Sequence, residues 1–218
     1  MEIKVMKRVL DRNQDQAEVI RNLLREKNIR MYNLISSPGA GKTTLLEQTC
    51  RHLDHTMRVG IIEGDVYTDR DAQRLKQYGF PIVLINTEGG CHLDSNSINR
   101  ALGEFDLDQM DLLFVENVGN LVCPSHFDLG ETAKIAVVST SEGDDKPIKY
   151  PMLFRDAQAV ILNKIDLLEY TNFSYDNFVR DLRQVNPTVP LFETSCTKGE
   201  GLEGWLAWLK EEVVSGER

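Results

Sequence analysis

Three groups of residues in this 218-residue chain have types and spacings that could do chemistry together. The first is Ser36-Ser37-Pro38-Gly39-Ala40-Gly41-Lys42-Thr43-Thr44, which follows the apolar run Tyr32-Asn33-Leu34-Ile35 and opens a helical pattern at Leu45, Leu46, Thr49, Cys50 and Leu53. Strand, glycine-bearing loop, Gly-Lys-Thr and helix together form the context of a phosphate-binding P-loop. The backbone N–H groups of Ser37, Gly39, Ala40, Gly41 and Thr44, with the helix N-terminus behind them, would make a concave anion site. Lys42 would bring a cation to the β- and γ-phosphates, and Thr43 a hydroxyl to Mg²⁺. The first glycine of the usual pattern is Ser36 here, which fits only if that residue has an ordinary backbone conformation.

The second group decides which nucleotide. Ala159-Val160-Ile161-Leu162 runs into Asn163-Lys164-Ile165-Asp166, the Asn-Lys-x-Asp pattern of guanine-nucleotide proteins. A carboxylate at Asp166 can accept from both N1–H and the exocyclic N2–H of guanine, which adenine does not offer. Lys164 can lay its methylenes along the base, and Asn163 can hold neighbouring loop backbone. Ser195 and Cys196, in Glu193-Thr194-Ser195-Cys196-Thr197-Lys198-Gly199, fall where GTPases place their last guanine-contacting loop, usually Ser-Ala-Lys. Cys196 then takes a small residue's place as a packing thiol.

Two acids close strands on the same sheet edge. Glu116, followed by Asn117-Val118-Gly119-Asn120, is placed to hold Mg²⁺ and its water, with the Gly119 N–H facing the γ-phosphate. Asp65, in Glu63-Gly64-Asp65, is the candidate for Mg²⁺ or the attacking water. The bland alternative for either acid is a helix cap or a solvated loop end. Lys42, Asp65 and Glu116 are therefore the catalytic candidates. No glutamine is obviously placed to orient a water, so intrinsic hydrolysis is expected to be slow.

The third group is Cys91-His92 and Cys123. Two thiolates and an imidazole suit Zn²⁺ or Ni²⁺. The spacing is not that of a zinc finger, and adjacent side chains diverge on a helix or a strand. Cys91 and His92 would then chelate one ion less easily than a Cys-x-x-Cys pair, unless the site is shared across a two-fold dimer axis. The residues alone leave metal binding and inert buried thiols both open. His126, three residues after Cys123, is a further possible ligand. His52 and His55 near a helix end read as cationic or solvated.

These groups need a scaffold. Short apolar runs recur at Leu34-Ile35, Val59 to Ile62, Ile82 to Ile85, Leu112 to Val115, Ile135 to Val138, Ala159 to Leu162 and Val189 to Phe192. Continuous apolarity marks strands buried on both faces, hence an α/β fold of three layers with a mostly parallel sheet of about seven strands flanked by helices. Ala17, Val19, Ile20, Leu23 and Leu24 predict a helix over 14–28, with Asn13 as its N-cap. Further helices are predicted over 71–78, 95–102, 175–184 and 202–213, with Trp205 and Trp208 on one core-facing stripe. The expected division is a helical segment over 1–29 and a P-loop GTPase domain over 30–218 that carries the metal loops.

Composition narrows the partners. A net charge of −9 with no basic cluster argues against a nucleic-acid surface. The start Met1-Glu2-Ile3-Lys4-Val5-Met6 is too short and charged for a signal peptide, and no apolar run approaches membrane-spanning length. Four cysteines without scaffold spacing fit a reducing cytoplasm.

The whole constellation resembles the hydrogenase nickel-incorporation GTPases of the HypB type, from about residue 30 onward. The resemblance rests on Ser-Ser-Pro-Gly-Ala-Gly-Lys-Thr, Glu-Gly-Asp at 63–65, Gly-Cys-His at 90–92, Glu-Asn-Val-Gly-Asn-Leu-Val-Cys-Pro at 116–124, Glu-Gly-Asp-Asp-Lys-Pro at 142–147 and Asn-Lys-Ile-Asp at 163–166. It implies a GTP-promoted homodimer that works with nickel-handling accessory proteins and delivers nickel to the large subunit of [NiFe] hydrogenase. It also implies that the metal ligands fall on Cys91, His92 and Cys123. Some members add an N-terminal cysteine motif or histidine-rich tract for nickel, and residues 1–29 carry neither. Lys146 or Lys149 is a candidate to reach a partner's nucleotide, the alternative being a solvated loop lysine. Two competing readings are a urease-accessory GTPase, whose metal cysteine is followed by Pro-His rather than Pro124-Ser125-His126, and a nucleotide-gated interaction module without metal.

Overall fold

Every one of the seven apolar runs forms a strand. The computed structural model describes residues 2–53, 57–65 and 70–215. The strands are β1 (Arg30–Ser36), β2 (Val59–Asp65), β3 (Ile82–Asn86), β4 (Leu112–Glu116), β5 (Ala133–Ser139), β6 (Ala157–Asn163) and β7 (Leu191–Thr194). They make one sheet in the order β3-β2-β4-β1-β5-β6-β7, with every pairing parallel. From β1 the chain moves outward to β2 and β3, returns to β4, then crosses to the other side for β5, β6 and β7. The end of β1 therefore lies where the connections diverge, the place where open parallel sheets bind ligands.

The helices are α1 (Glu2–Glu26), α2 (Lys42–His52), α3 (Arg70–Lys76), α4 (Ser95–Leu102), α5 (Cys123–His126), α6 (Lys146–Lys149), α7 (Pro151–Asp156), α8 (Tyr175–Val185) and α9 (Leu202–Ser215). Alternate strand residues feed two core layers. Tyr32, Leu34, Ile61, Phe114 and Ile161 pack with Leu45 and Leu46 of α2, Leu75 of α3, and Trp205 and Leu209 of α9. Met31, Ile62 and Leu113 pack with Ile20 and Leu24 of α1 and with Ile98 and Leu102 of α4. Farther along that face, Ile35, Val138 and Leu162 meet Phe154 of α7 and Phe178 and Leu182 of α8. Trp205 is fully buried and its Nε1 donates to Thr49 Oγ1 at 2.9 Å, which ties α9 to α2 beneath the phosphate loop.

One expectation changes. Asn13 is not an N-cap: α1 runs through it, and its buried side chain bonds across the fold. Asn13 Nδ2 donates to Asp128 O at 2.7 Å, and its Oδ1 accepts from Ser95 N at 2.8 Å. These tertiary partners replace the local backbone bonds that draw asparagine to helix starts. The α1 helix packs beside the sheet, with Ile20 and Leu24 buried among Met31, Ile62 and Leu113. His55 lies outside the described residues, whereas His52 is exposed at the end of α2 with Nδ1 2.7 Å from Gln48 O. No helix among the described residues is long and apolar enough to cross a membrane.

Candidate functional site

The loop between β1 and α2 turns through Gly39 (φ 78°) and Gly41 (φ 101°), a left-handed conformation that glycine adopts without a Cβ clash. A Cβ on Gly41 would also lie 2.4 Å from Asn163 Nδ2. Ser36 is the last residue of β1 and has no positive φ, so serine replaces glycine there without strain. Its buried hydroxyl instead accepts from Lys42 Nζ at 2.8 Å.

A cavity of about 490 Å³ opens over this loop, lined by Gly39, Gly41, Lys42, Thr43 and Thr44 on one side and by Asp65, Glu116, Gly119 and Lys164 on the other. Thr43 Oγ1 donates to Glu116 Oε1 at 2.7 Å. Gly119 is packed so closely on Pro38 that a Cβ there would lie 3.0 Å from its backbone. The segment after β4 thus rests directly on the phosphate loop.

The residues of the Asn-Lys-x-Asp stretch assemble beside it. Asn163 Nδ2 donates to Ala40 O at 2.9 Å, while its Oδ1 accepts from Thr194 Oγ1 at 3.2 Å and from Cys196 N at 3.1 Å. One amide therefore binds the phosphate loop to the loop after β7. Lys164 has φ 60°, a strained conformation for a residue with a Cβ, and its Nζ donates to Gly39 O at 2.7 Å. Ser195 Oγ donates to Asp166 Oδ1 at 2.6 Å. Cys196 is buried, and burial pushes its thiol up to about 11, as expected of a packing residue.

Sequence reasoning missed Glu63. In the β2–β4 ladder Glu63 lies opposite Glu116, and both carboxyls are buried. Among the described residues neither Oε2 has a hydrogen-bond partner. Burial and the facing Glu116 push Glu63 up to about 11, so the pair holds a proton at neutral pH. That raised value fixes the sign of the pH dependence: its contribution to stability is present below about 4.5 and is lost as the pH rises towards about 11. Glu63→Gln supplies an amide donor to Glu116 and should stabilise the nucleotide-free protein by roughly 1–3 kcal/mol, the scale of relieving a buried unpaired group. A lower unfolding midpoint in urea would refute this. Asp71 and Arg74 of α3 also line the cavity, and oxygens of Glu63, Asp65 and Asp71 lie within 4.8 Å of one another. Paired acids with unpartnered buried oxygens fit a hard divalent cation such as Mg²⁺.

The third group comes together too. Ligand atoms of Cys91, His92 and Cys123 all lie within 4.8 Å of one another in the single chain. Cys91 Sγ is 3.6 Å from His92 Nδ1. The expectation that neighbours diverge fails here because residues 91 and 92 lie in a bend, not in a helix or strand. The buried-thiol alternative fails as well, since Cys91 is exposed and Cys123 half-exposed, and all four cysteines are free. The His92 ring stacks on Phe127 with centroids 3.8 Å apart, and burial lowers its pKa, which favours the neutral imidazole that binds metals. His126 stays outside: it is exposed and its Nδ1 lies 2.8 Å from Val122 O.

Residues 30–193 match the family described as "CobW/HypB/UreG, nucleotide-binding domain". The Escherichia coli K12 protein "Hydrogenase maturation factor HypB" is 46% identical over 204 residues, covering 94% of this chain and 70% of that one. The chain belongs to the HypB family. A Helicobacter hepaticus member described as "Hydrogenase/urease maturation factor HypB" is 44% identical over 204 residues, covering 92% and 84% of the two chains. Among solved structures, Helicobacter pylori HypB in complex with nickel superposes with a TM-score of 0.87 at 36% identity, covering 94% of this chain and 96% of that one. The signal recognition particle protein of Aeropyrum pernix shares the fold alone, with a TM-score of 0.59 at 16% identity over 87% of this chain and 50% of that one. In this HypB-family chain all three chemical groups lie at or beside the carboxyl ends of one parallel sheet.

Proposed function

We propose that this GTPase loads and releases nickel according to its nucleotide state during [NiFe] hydrogenase maturation. One observation carries the reading. A single segment leaves β4 with Glu116 bonded to Thr43, lays Gly119 on Pro38, and then supplies Cys123 to the group formed with Cys91 and His92. A change at the γ-phosphate position therefore moves a metal ligand, and linkage requires metal to act back on nucleotide affinity.

Lys42 and the loop amides would bind the phosphates, while Asn163, Lys164 and Asp166 would select guanine. Thr43, Asp65 and Glu116, with Glu63 behind them, would hold Mg²⁺, which supplies charge neutralisation at the phosphates when bound. Two thiols and one imidazole accept nickel or zinc and leave a fourth position open, as a site built for transfer requires. A second subunit could fill that position in a GTP-promoted homodimer, and an accessory protein or the hydrogenase large subunit could take over the ion there. Lys149, ion-paired with Asp145 at 2.5 Å, and Lys146, bonded to Glu142 O at 2.6 Å, are the candidates to reach a partner's nucleotide. Free thiols at every cysteine suit a reducing cytoplasm.

The test is nickel and zinc titration of the full chain with GDP and with a non-hydrolysable GTP analogue, alongside its mass in solution. Metal dissociation constants that differ between the two states support the reading. Equal constants reject it.

A further inference from the structure

We propose that Asn117 is the positioning residue that ties both halves of the metal group to the nucleotide switch; the inference rests on the nucleotide-gated reading above. Asn117 follows Glu116 directly and is buried. Its Oδ1 accepts from Val118 N at 2.9 Å and from Leu93 N at 3.3 Å. Leu93 is the residue after His92, so this amide holds the first metal loop.

The other end of the same amide reaches the second loop. Asn117 Nδ2 donates to Asn33 Oδ1 at 3.1 Å, and Asn33 Nδ2 donates to Glu131 Oε1 at 3.3 Å. Glu131 Oε2 accepts from Leu129 N at 2.6 Å, and Lys134, 3.9 Å from Glu131 Oε1, donates to Ser125 O at 2.9 Å. Ser125 sits in α5 with Cys123, and Phe127 just beyond stacks on His92. Asn33, Asn117 and Glu131 are all buried, so an unpaired member would be costly and the chain of bonds moves together. The side-chain hydrogen bonds of Asn117 go to Asn33, Leu93 and Val118 rather than to Cys91, His92 or Cys123. It acts through the backbone of both loops.

A residue with a merely structural role would change stability, or both metal affinities equally. A positioning residue changes their ratio between nucleotide states. The experiment measures nickel dissociation constants with GDP and with a non-hydrolysable GTP analogue for the unaltered chain, Asn117→Ala, Asn33→Ser and Asn186→Ala. The side chain of Asn186 bonds to the carbonyls of Phe154, Arg155 and Ala157, outside both metal loops, so it serves as the structural control. A ratio of roughly 5–150, the range of ordinary allosteric coupling, is expected for the unaltered chain and for Asn186→Ala. It should fall to within about 2-fold of unity in Asn117→Ala, with nickel still bound by each chain. An unaltered ratio in Asn117→Ala overturns the proposal, as does an equal collapse in Asn186→Ala. If Asn117→Ala does not fold, Asn33→Ser decides by the same ratio: collapse supports the proposal and retention overturns it. A ratio of unity in the unaltered chain instead removes the reading on which the proposal rests.

Discussion

Asp166→Asn is expected to cost roughly 10²- to 10³-fold in GTP affinity and to raise affinity for the xanthine nucleotide, since removing one partner of a charged hydrogen bond in a site built for it carries penalties of that order. The structure explains why the loss should be concentrated at the base. Ser195 Oγ occupies one side of the Asp166 carboxylate at 2.6 Å and fixes its orientation. The loop behind it is held by Thr140 Oγ1, which donates to Lys164 O at 2.6 Å, and by Lys164 Nζ on Gly39 O at 2.7 Å. A carboxylate so placed has acceptors for both guanine donors. An asparagine keeps one acceptor but turns an N–H toward the N2 amino group, donor against donor. Xanthine has a carbonyl at that carbon and accepts the same N–H. Competition binding with GTP and XTP measures both effects. Unchanged preference for GTP would mean that Asp166 does not read the base.

The strands were legible in the sequence because a parallel sheet covered on both faces needs apolar side chains on both. Even the edge strands kept the pattern, although Leu84 of β3 is 38% exposed. The Gly-Lys-Thr and Asn-Lys-x-Asp motifs were legible for a related reason: each is a short, contiguous segment with fixed spacing. What stayed hidden depends on pairing across the fold. The bonds from Asn13 to Ser95 and Asp128 span 82 and 115 residues, and no local rule anticipates them. Glu63 was visible as a residue but not as the partner of Glu116, because only strand register sets the two carboxyls face to face. The Cys91, His92 and Cys123 group shows the same limit from the other side. Rules for helix and strand predict that neighbouring side chains diverge, and Cys91 and His92 escape them by sitting in a bend. Asn117 carried no signal at all beyond its neighbour Glu116, since its four hydrogen-bonding contacts come from two distant segments, β1 and the loop after β3, and from its own neighbour Val118.

Cys123→Ser should abolish stoichiometric nickel binding, a loss greater than the 10- to ~100-fold typical when only an outer-shell partner of a metal ligand is removed. Cys91→Ser should do the same. GTP binding should survive both substitutions, because neither thiol lines the nucleotide cavity. The pH dependence identifies the chemistry further. A hydrogen bond with Cys91, together with burial, holds the Cys123 thiol above its ordinary range. Nickel therefore displaces a proton there, and affinity should rise about tenfold per pH unit for each thiol proton released below the thiol pKa. His92 adds nothing to that slope near neutrality, since burial keeps its imidazole in the deprotonated form. Isothermal titration with nickel at several pH values and in buffers of different ionisation enthalpy counts the released protons directly. A pH-independent affinity would place the ion on nitrogen and oxygen donors and remove Cys123 from the site. The buried thiols give the control. Burial pushes Cys50 up to about 12 and Cys196 up to about 11, and both lie away from the exposed group, so Cys50→Ala should leave nickel stoichiometry and its pH slope unchanged.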